Sequence, residues 1–305
     1  MPNAIGTDFK AIQRLVADRT GLPTLGFRTD GIHSYLPGAG GAYVWLAKQF
    51  VKPASKKPEL PAKRVNLLGL TPLDFSVVGN ATTLKQIVTD AGFTIQSSWS
   101  MGDTLEGLAT AADADVNVVV SSTAFYLAQY LRDTYGIPYV VGIPIGEKGT
   151  ADWLEALRKG DSSYVTGLTG DEEYVKAQYA LADLNAWKTE QAYDDTPCDV
   201  LVIGEPVYLR SMKAFLEKEM GVETVRLLCP YPMPRSALEG YGSGQRRSRY
   251  PSGMPQARRV IADPIYARLL PDEPDKFISM PHEAYSGRHY HDDMLFLSAR
   301  RLRHG

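Results

Sequence analysis

Short runs of aliphatic and β-branched residues alternate with segments whose apolar positions recur at helical spacing. That alternation is the pattern of parallel α/β units. The clearest block opens with an expected strand from Arg64 to Leu70. Leu84, Ile87, Val88 and Ala91 then form one helical face, with Gly92 placed just past its end. Phe93 to Trp99, the valine-rich Val116 to Ser121, and Pro138 to Ile143 read as further strands, with a short helix from Asp103 and a longer one from Ser122 to about Tyr135 between them. A second block begins at Asp199 to Ile203. Pro206 suits a first helical turn, Tyr208, Met212, Phe215 and Leu216 face a core, and Val222 to Leu228 is another strand. Order is expected again around Val260-Ile261 and Phe277-Ile278.

The flanks carry weaker patterns. Phe9, Ile12 and Val16 share a helical face that Gly21 would end, and Leu22 to Phe27 reads as a short strand. Gly38, Gly40 and Gly41 are expected to precede an apolar helix from Tyr43 to Val51, followed by a Pro/Lys-rich linker from Lys52 to Pro61. Thr169 and Glu172 have capping-box spacing before a helix to about Trp187, while 230–258 is rich in Pro, Gly, Ser and Arg. The expected organisation is an N-terminal remnant and linker (1–61), a Rossmann-like domain (62–150), a helical bridge (151–190), and a second Rossmann-like domain with a tail (191–305).

Composition narrows the class. The 305 residues are 44% hydrophobic and 22% charged, which suits a globular chain long enough to bury a core without staples. The formal net charge of −2 disfavours a nucleic-acid binder driven by bulk positive charge. Only Cys198 and Cys229 are present, too few for a disulfide scaffold or for the four thiolates that usually hold an iron–sulfur cluster. No run approaches the roughly 20 apolar residues of a membrane span, and residues 1–5 do not look like a signal peptide. A cytoplasmic protein without membrane or nucleic-acid partners is the expectation.

Candidate chemistry lies in three places. The turns Gly69-Leu70-Thr71-Pro72, Ser121-Ser122-Thr123 and Gly204-Glu205-Pro206 fall at the C-terminal ends of expected strands, where open α/β sheets bind ligands. Plain turn chemistry would equally place such residues there, since none matches GxGxxG or a P-loop. Three of the five histidines, His282, His289 and His291, fall within ten residues, interleaved with Arg288. Imidazole is a common metal ligand and titrates near neutrality. In extended chain, His289 and His291 point to one side; the competing reading is a polar loop docking on another subunit. Arg246, Arg247, Arg249, Arg258 and Arg259, like Arg300, Arg301 and Arg303, suit phosphate or carboxylate clamps or an acidic partner. Buried structural cysteine is the default for Cys198 and Cys229.

These residues resemble a known family. Val65-Asn66-Leu67-Leu68-Gly69, the helix to Ala91-Gly92, Trp99-Ser100-Met101-Gly102-Asp103-Thr104-Leu105, Asp115 to Val120, and Tyr135-Gly136-Ile137-Pro138-Tyr139 are similar, in order and spacing, to the middle domain of nitrogenase component 1 proteins. Ile5-Gly6-x-Asp8 and Gly26-Phe27 resemble the segment closing the family's first domain. Gly204-Glu205-Pro206 and the Tyr285-Ser286-Gly287 run resemble its third.

The resemblance implies two Rossmann-like parallel-sheet domains plus a remnant of a first. It implies an oxidoreductase subunit that pairs with a second component 1-like subunit and takes electrons from an ATP-dependent iron–sulfur reductase. A metallocluster or tetrapyrrole-like ligand would then lie between the domains, any cluster held with partner-supplied ligands. Asp103, Ser121, Thr71 and Glu205 would contact the ligand, His289 and His291 would be metal ligands, and His282, His289 and Arg288 would serve the reaction.

Two departures stand out. The chain begins where the last of the family's cluster cysteines would sit, so either a longer protein has been shortened or a lineage keeps the clusters on a partner. Ser121 stands where the catalytic nitrogenase subunit has a cofactor-binding cysteine, and Tyr290, between His289 and His291, stands where it has a histidine. Nitrogen fixation is therefore not expected. A non-catalytic scaffold or carrier for metallocluster assembly, or a small-molecule-binding module, is the alternative.

Overall fold

The structure is a computed structural model that describes residues 8–24, 35–55, 63–75, 78–160, 197–230, 256–287 and 289–290. It contains two four-stranded, all-parallel sheets. The first joins β1 (Arg64–Leu70), β2 (Thr94–Ser100), β3 (Val116–Val119) and β4 (Tyr139–Val141) in the order β2-β1-β3-β4. The second joins β5 (Cys198–Ile203), β6 (Val225–Leu228), β7 (Ala257–Ala262) and β8 (Phe277–Ser279) in the order β6-β5-β7-β8. This is the expected α/β class, and each expected strand of the two blocks falls within two or three residues of an observed one.

The helices α1 (Phe9–Thr20) and α2 (Tyr35–Phe50) come first. The first sheet carries α3 (Val78–Asp90), α4 (Leu105–Ala109), α5 (Phe125–Tyr135) and α6 (Glu147–Lys159), and β5 leads into α7 (Pro206–Lys218). Asp8 caps α1 by accepting from the Ala11 amide, and Gly21 ends it in the left-handed conformation. α2 begins eight residues before the expected start, so Gly38, Gly40 and Gly41 lie inside it rather than ahead of it. Packing overrides propensity here. A Cβ on Gly40 would sit 3.1 Å from the Thr123 carbonyl oxygen and 3.2 Å from the Tyr126 ring, so the glycine lets α2 approach the start of α5. Residues 22–24 are not a strand, and the rest of the strand expected there lies outside the described residues. So do the Thr169–Glu172 capping box, the helix to Trp187, the loop arginines Arg246, Arg247 and Arg249, and the tail arginines.

β1 is buried at all seven positions, as a central parallel strand covered on both faces should be. One apolar cluster runs continuously from Leu68, Trp99 and Phe125 of the first block to Val202, Leu209 and Leu227 of the second. Helix ends tie the blocks as well. Glu219, just past α7, accepts from the Glu147 and Gly149 amides at the start of α6, both at 2.9 Å, and Lys218 pairs with Asp152 at 3.1 Å. The first amides of a helix point outward from its start, so a carboxylate from the other block caps α6.

Candidate functional site

In both sheets the winding reverses at the central pair, between β1 and β3 in the first and between β5 and β7 in the second. Chains leave a sheet in opposite directions at such a point and open a crevice beyond the strand ends. The four segments leaving these strands carry Thr71 and Asp74, Ser121, Glu205, and Asp263, all buried or nearly so. Hydrogen bonds join them across the two blocks.

Asp74 lies at the centre. The Thr71 hydroxyl accepts from the Leu73 amide at 3.1 Å, and the Thr71 carbonyl accepts from the Asp74 and Phe75 amides at 3.1 and 2.9 Å. The resulting tight turn directs the Asp74 side chain back over β1. Its Oδ2 accepts from the Ser121 hydroxyl at 2.5 Å. Its Oδ1 accepts from the Tyr35 hydroxyl and lies 3.2 Å from Nε2 of His282, which belongs to the other block. The Ser121 hydroxyl also pairs with the Thr123 hydroxyl at 2.8 Å. Gly69, at φ +91, allows this approach, because a Cβ there would stand 3.0 Å from that of Ala124 and 3.2 Å from that of Ser121.

Glu205 makes the second crossing. It caps α7 by accepting from the Tyr208 amide at 2.9 Å, and its other oxygen accepts from the Ser122 amide of the first block at 2.7 Å. Burial, and secondly the charge of Asp74, push its carboxyl up to about 7, against which the two amides act. Burial also pushes the Tyr43 phenol, bonded to Ser100, up to about 12.

His282 follows β8. Its Nδ1 accepts from the Ala284 amide at 3.2 Å, so Nδ1 carries no proton and the neutral ring bears its hydrogen on Nε2, facing Asp74. Both ring nitrogens are thus engaged inside the protein. Tyr285 packs edge-on against the ring with centroids 4.8 Å apart. Asp263 holds this segment, its Oδ2 accepting from the His282 amide at 2.8 Å and the Ser286 hydroxyl at 2.7 Å.

Of the residues singled out from sequence, Thr71, Ser121, Glu205 and His282 therefore come together. Asp103 serves its own turn, accepting from the Ser98 and Thr104 amides at 2.5 and 2.8 Å. His289 is exposed, its ring 6.5 Å from that of Tyr290. Arg288 and His291 lie outside the described residues.

Asp74, Tyr35 and Asp263 are additions that the sequence pattern does not single out. Asp263-Pro264 directly after Val260-Ile261-Ala262 is a readable signal, an N-cap aspartate followed by proline at the first helical position. Asp74 offers only its place four residues after a strand, and Tyr35 offers none.

The side chains at this junction are carboxylates, hydroxyls and one imidazole whose Nδ1 accepts from a backbone amide and whose Nε2 lies beside Asp74. No group of three or more metal-ligating side chains occurs among the described residues. Cys198 begins β5 and Cys229 follows β6, so in a parallel pair the two buried thiols lie at opposite ends of the sheet. The described residues do not fit an iron–sulfur cluster, which wants several thiolates on one site. No helix among them is long and apolar enough to cross a membrane.

Two doubly wound parallel sheets meeting at their switch points define a two-sheet α/β protein. The chain belongs to the nitrogenase component 1 type oxidoreductase family, which matches residues 1–288. It is similar to a subunit of the light-independent protochlorophyllide reductase of Prosthecochloris aestuarii, 29% identical over 217 residues that cover 67% of this chain and 40% of that protein. The corresponding reductase subunit from Zygnema circumcarinatum is 27% identical over 168 residues, covering 53% of this chain and 33% of that one. The chain thus spans two fifths or less of the length of these curated relatives. A solved structure, nitrogenase Cp1 at pH 5, shares the fold with a TM-score of 0.50 at 19% identity, covering 76% of this chain and 46% of that one.

Proposed function

We propose that this chain supplies the interdomain substrate site of a component 1-like oxidoreductase, taking an unsaturated organic ligand of tetrapyrrole type. Electrons would come from a separate iron–sulfur reductase, and a second component 1-like subunit would complete the site and hold any metallocluster. The observation that carries the reading is the junction at the paired switch points, where Asp74, Ser121, Glu205 and His282 meet across two domains. The names of the relatives support the ligand class.

Reduction of a conjugated ring consumes protons as well as electrons. A carboxyl that titrates near neutrality, as Glu205 does, can hold a proton at working pH and release it. Asp74 and His282 orient one another beside it, with Ser121 as the polar contact at the strand end. The donor set favours an organic ligand over a soft metal on this chain.

Anaerobic titration of the purified protein with protochlorophyllide, followed by ligand absorbance, tests this. Saturable binding is expected, weakened about tenfold or more (some 1.4 kcal/mol) when Asp74→Asn and His282→Gln are combined. Equal affinity in the double variant, or absence of saturable binding both by this chain alone and with its component 1-like partner subunit added, overturns it. A non-catalytic carrier is the second reading, favoured by the closed state of the junction, in which Nδ1 of His282 already accepts from the Ala284 amide and Nε2 lies 3.2 Å from Asp74. Binding without turnover when a reductase is supplied would select it.

A further inference from the structure

We propose that Asp263 is a positioning residue that sets the tautomer and aim of His282, and through it the contact between the two blocks. The inference rests on the reading of the junction as a ligand site, but its physical content holds without a ligand.

Asp263 is 2% exposed and lies directly after β7, at the switch point of the second sheet. Its Oδ1 accepts from the Ile265 amide at 2.9 Å and caps the 3-10 helix Pro264–Leu269. That bond alone would make it an ordinary cap. Its Oδ2 instead reaches 19 residues along the chain to the His282 amide and on to the Ser286 hydroxyl. These two bonds bracket the helical turn Glu283–Ser286, which His282 itself caps through Nδ1. Histidine is not among the favoured capping residues, so this geometry needs outside support. With the turn held, Nδ1 faces the Ala284 amide and the Nε2 hydrogen is left for Asp74. The relay runs from Asp263 to His282 to Asp74 and on to Ser121 and Tyr35, crossing from the second sheet to the first.

The test uses two variants and a readout that a general loss of packing would not mimic. Asp263→Ser keeps a short cap for Ile265 but cannot reach His282, whereas Asp263→Asn keeps the reach and replaces one acceptor with a donor. Two-bond proton–nitrogen spectra of the histidine rings in the ligand-free, full-length protein report tautomer directly. The wild type is expected to show His282 as a single Nε2–H form. Asp263→Ser is expected to move both ring nitrogen shifts toward the averaged values of an imidazole exchanging tautomers, and Ser286→Ala, which removes one of the two bonds, to move them less. A fixed Nε2–H signal in both Asp263 variants, or an averaged signal in the wild type, overturns the proposal. If Asp263→Ser unfolds, Asp263→Asn at the same temperature decides it. Unchanged protochlorophyllide affinity alongside a lost tautomer would uphold the positioning role and count against the site reading, so the two failures are distinguishable.

Discussion

The two sheets share strand order and direction, yet they bury their polar side chains in different places. In the first, the polar groups run through the middle of the sheet. Asn66 on β1 donates to Asn117 on β3 and to the Ala111 carbonyl, both at 2.8 Å, and accepts from Ser97 on β2 at 2.6 Å, which in turn accepts from Trp99 at 3.0 Å. In the second, Val200, Leu201, Val202 and Ile203 fill the equivalent strand, and the buried acids Glu205 and Asp263 stand beyond the strand ends. The first arrangement knits strands together, and every partner is local to one sheet. Among the described residues the second has no such ladder, and its buried acids act only beyond the strand ends, where Glu205 meets the Ser122 amide of the other block much as Asp74 meets His282. A buried polar residue is therefore informative by its direction as much as by its burial.

The sharpest way to break this contrast is Asn66→Leu. It leaves the Ala111 carbonyl and Asn117 without their amide donor at a fully buried site, a cost of about 2–4 kcal/mol on urea unfolding. The His282 ring signals should not change, because no part of the ladder touches the junction. Altered His282 signals would show that the two polar systems are one.

Glu205 offers the opposite case. Its carboxyl sits at about 7 in the folded protein against an ordinary 4.5, so between those values the folded state binds more protons than the unfolded. Stability from this group is therefore fully present below about pH 4.5 and is lost as pH rises to 7, by up to about 3 kcal/mol. Glu205→Gln should flatten that slope in unfolding experiments at pH 5 and pH 8, with a constant offset for the Tyr208 amide it no longer satisfies. An unchanged slope would mean that another group carries it.

The smallest expected effect is Glu219→Ala. Two amides at the start of α6 lose their acceptor, which should cost about 1 kcal/mol in thermal or urea unfolding. A larger loss would mean that the cap also governs how the blocks pack.

Much of the architecture is legible in the residues themselves. β1 can be read to its ends because a run of β-forming residues broken only by Asn66 and Gly69 is closed by the Thr71-Pro72 turn, and α1 because Phe9, Ile12, Val16 and Gly21 agree on one helix. The start of α2 escapes such a reading because Gly40 answers to the close approach of Thr123 and Tyr126, more than 80 residues away. The same limit governs the junction. Thr71, Ser121 and Glu205 are visible as strand-end turns, since position along one strand suffices to find them. Asp74 and Asp263 matter through partners 47 and 19 residues distant, and His282 stands out only as part of a histidine-rich stretch. Distances of that kind are set by which strands lie side by side in a sheet, which no local pattern encodes.

The capping of α6 by Glu219 also has a consequence for biosynthesis. Translation delivers the whole first sheet and α6 about 60 residues before Glu219 is made. During that interval the helix start is open and the apolar surface that will meet Val202 and Leu209 is bare. The nascent first block is therefore the stage most exposed to misassociation, and the second block acts on it as a built-in chaperone once it emerges.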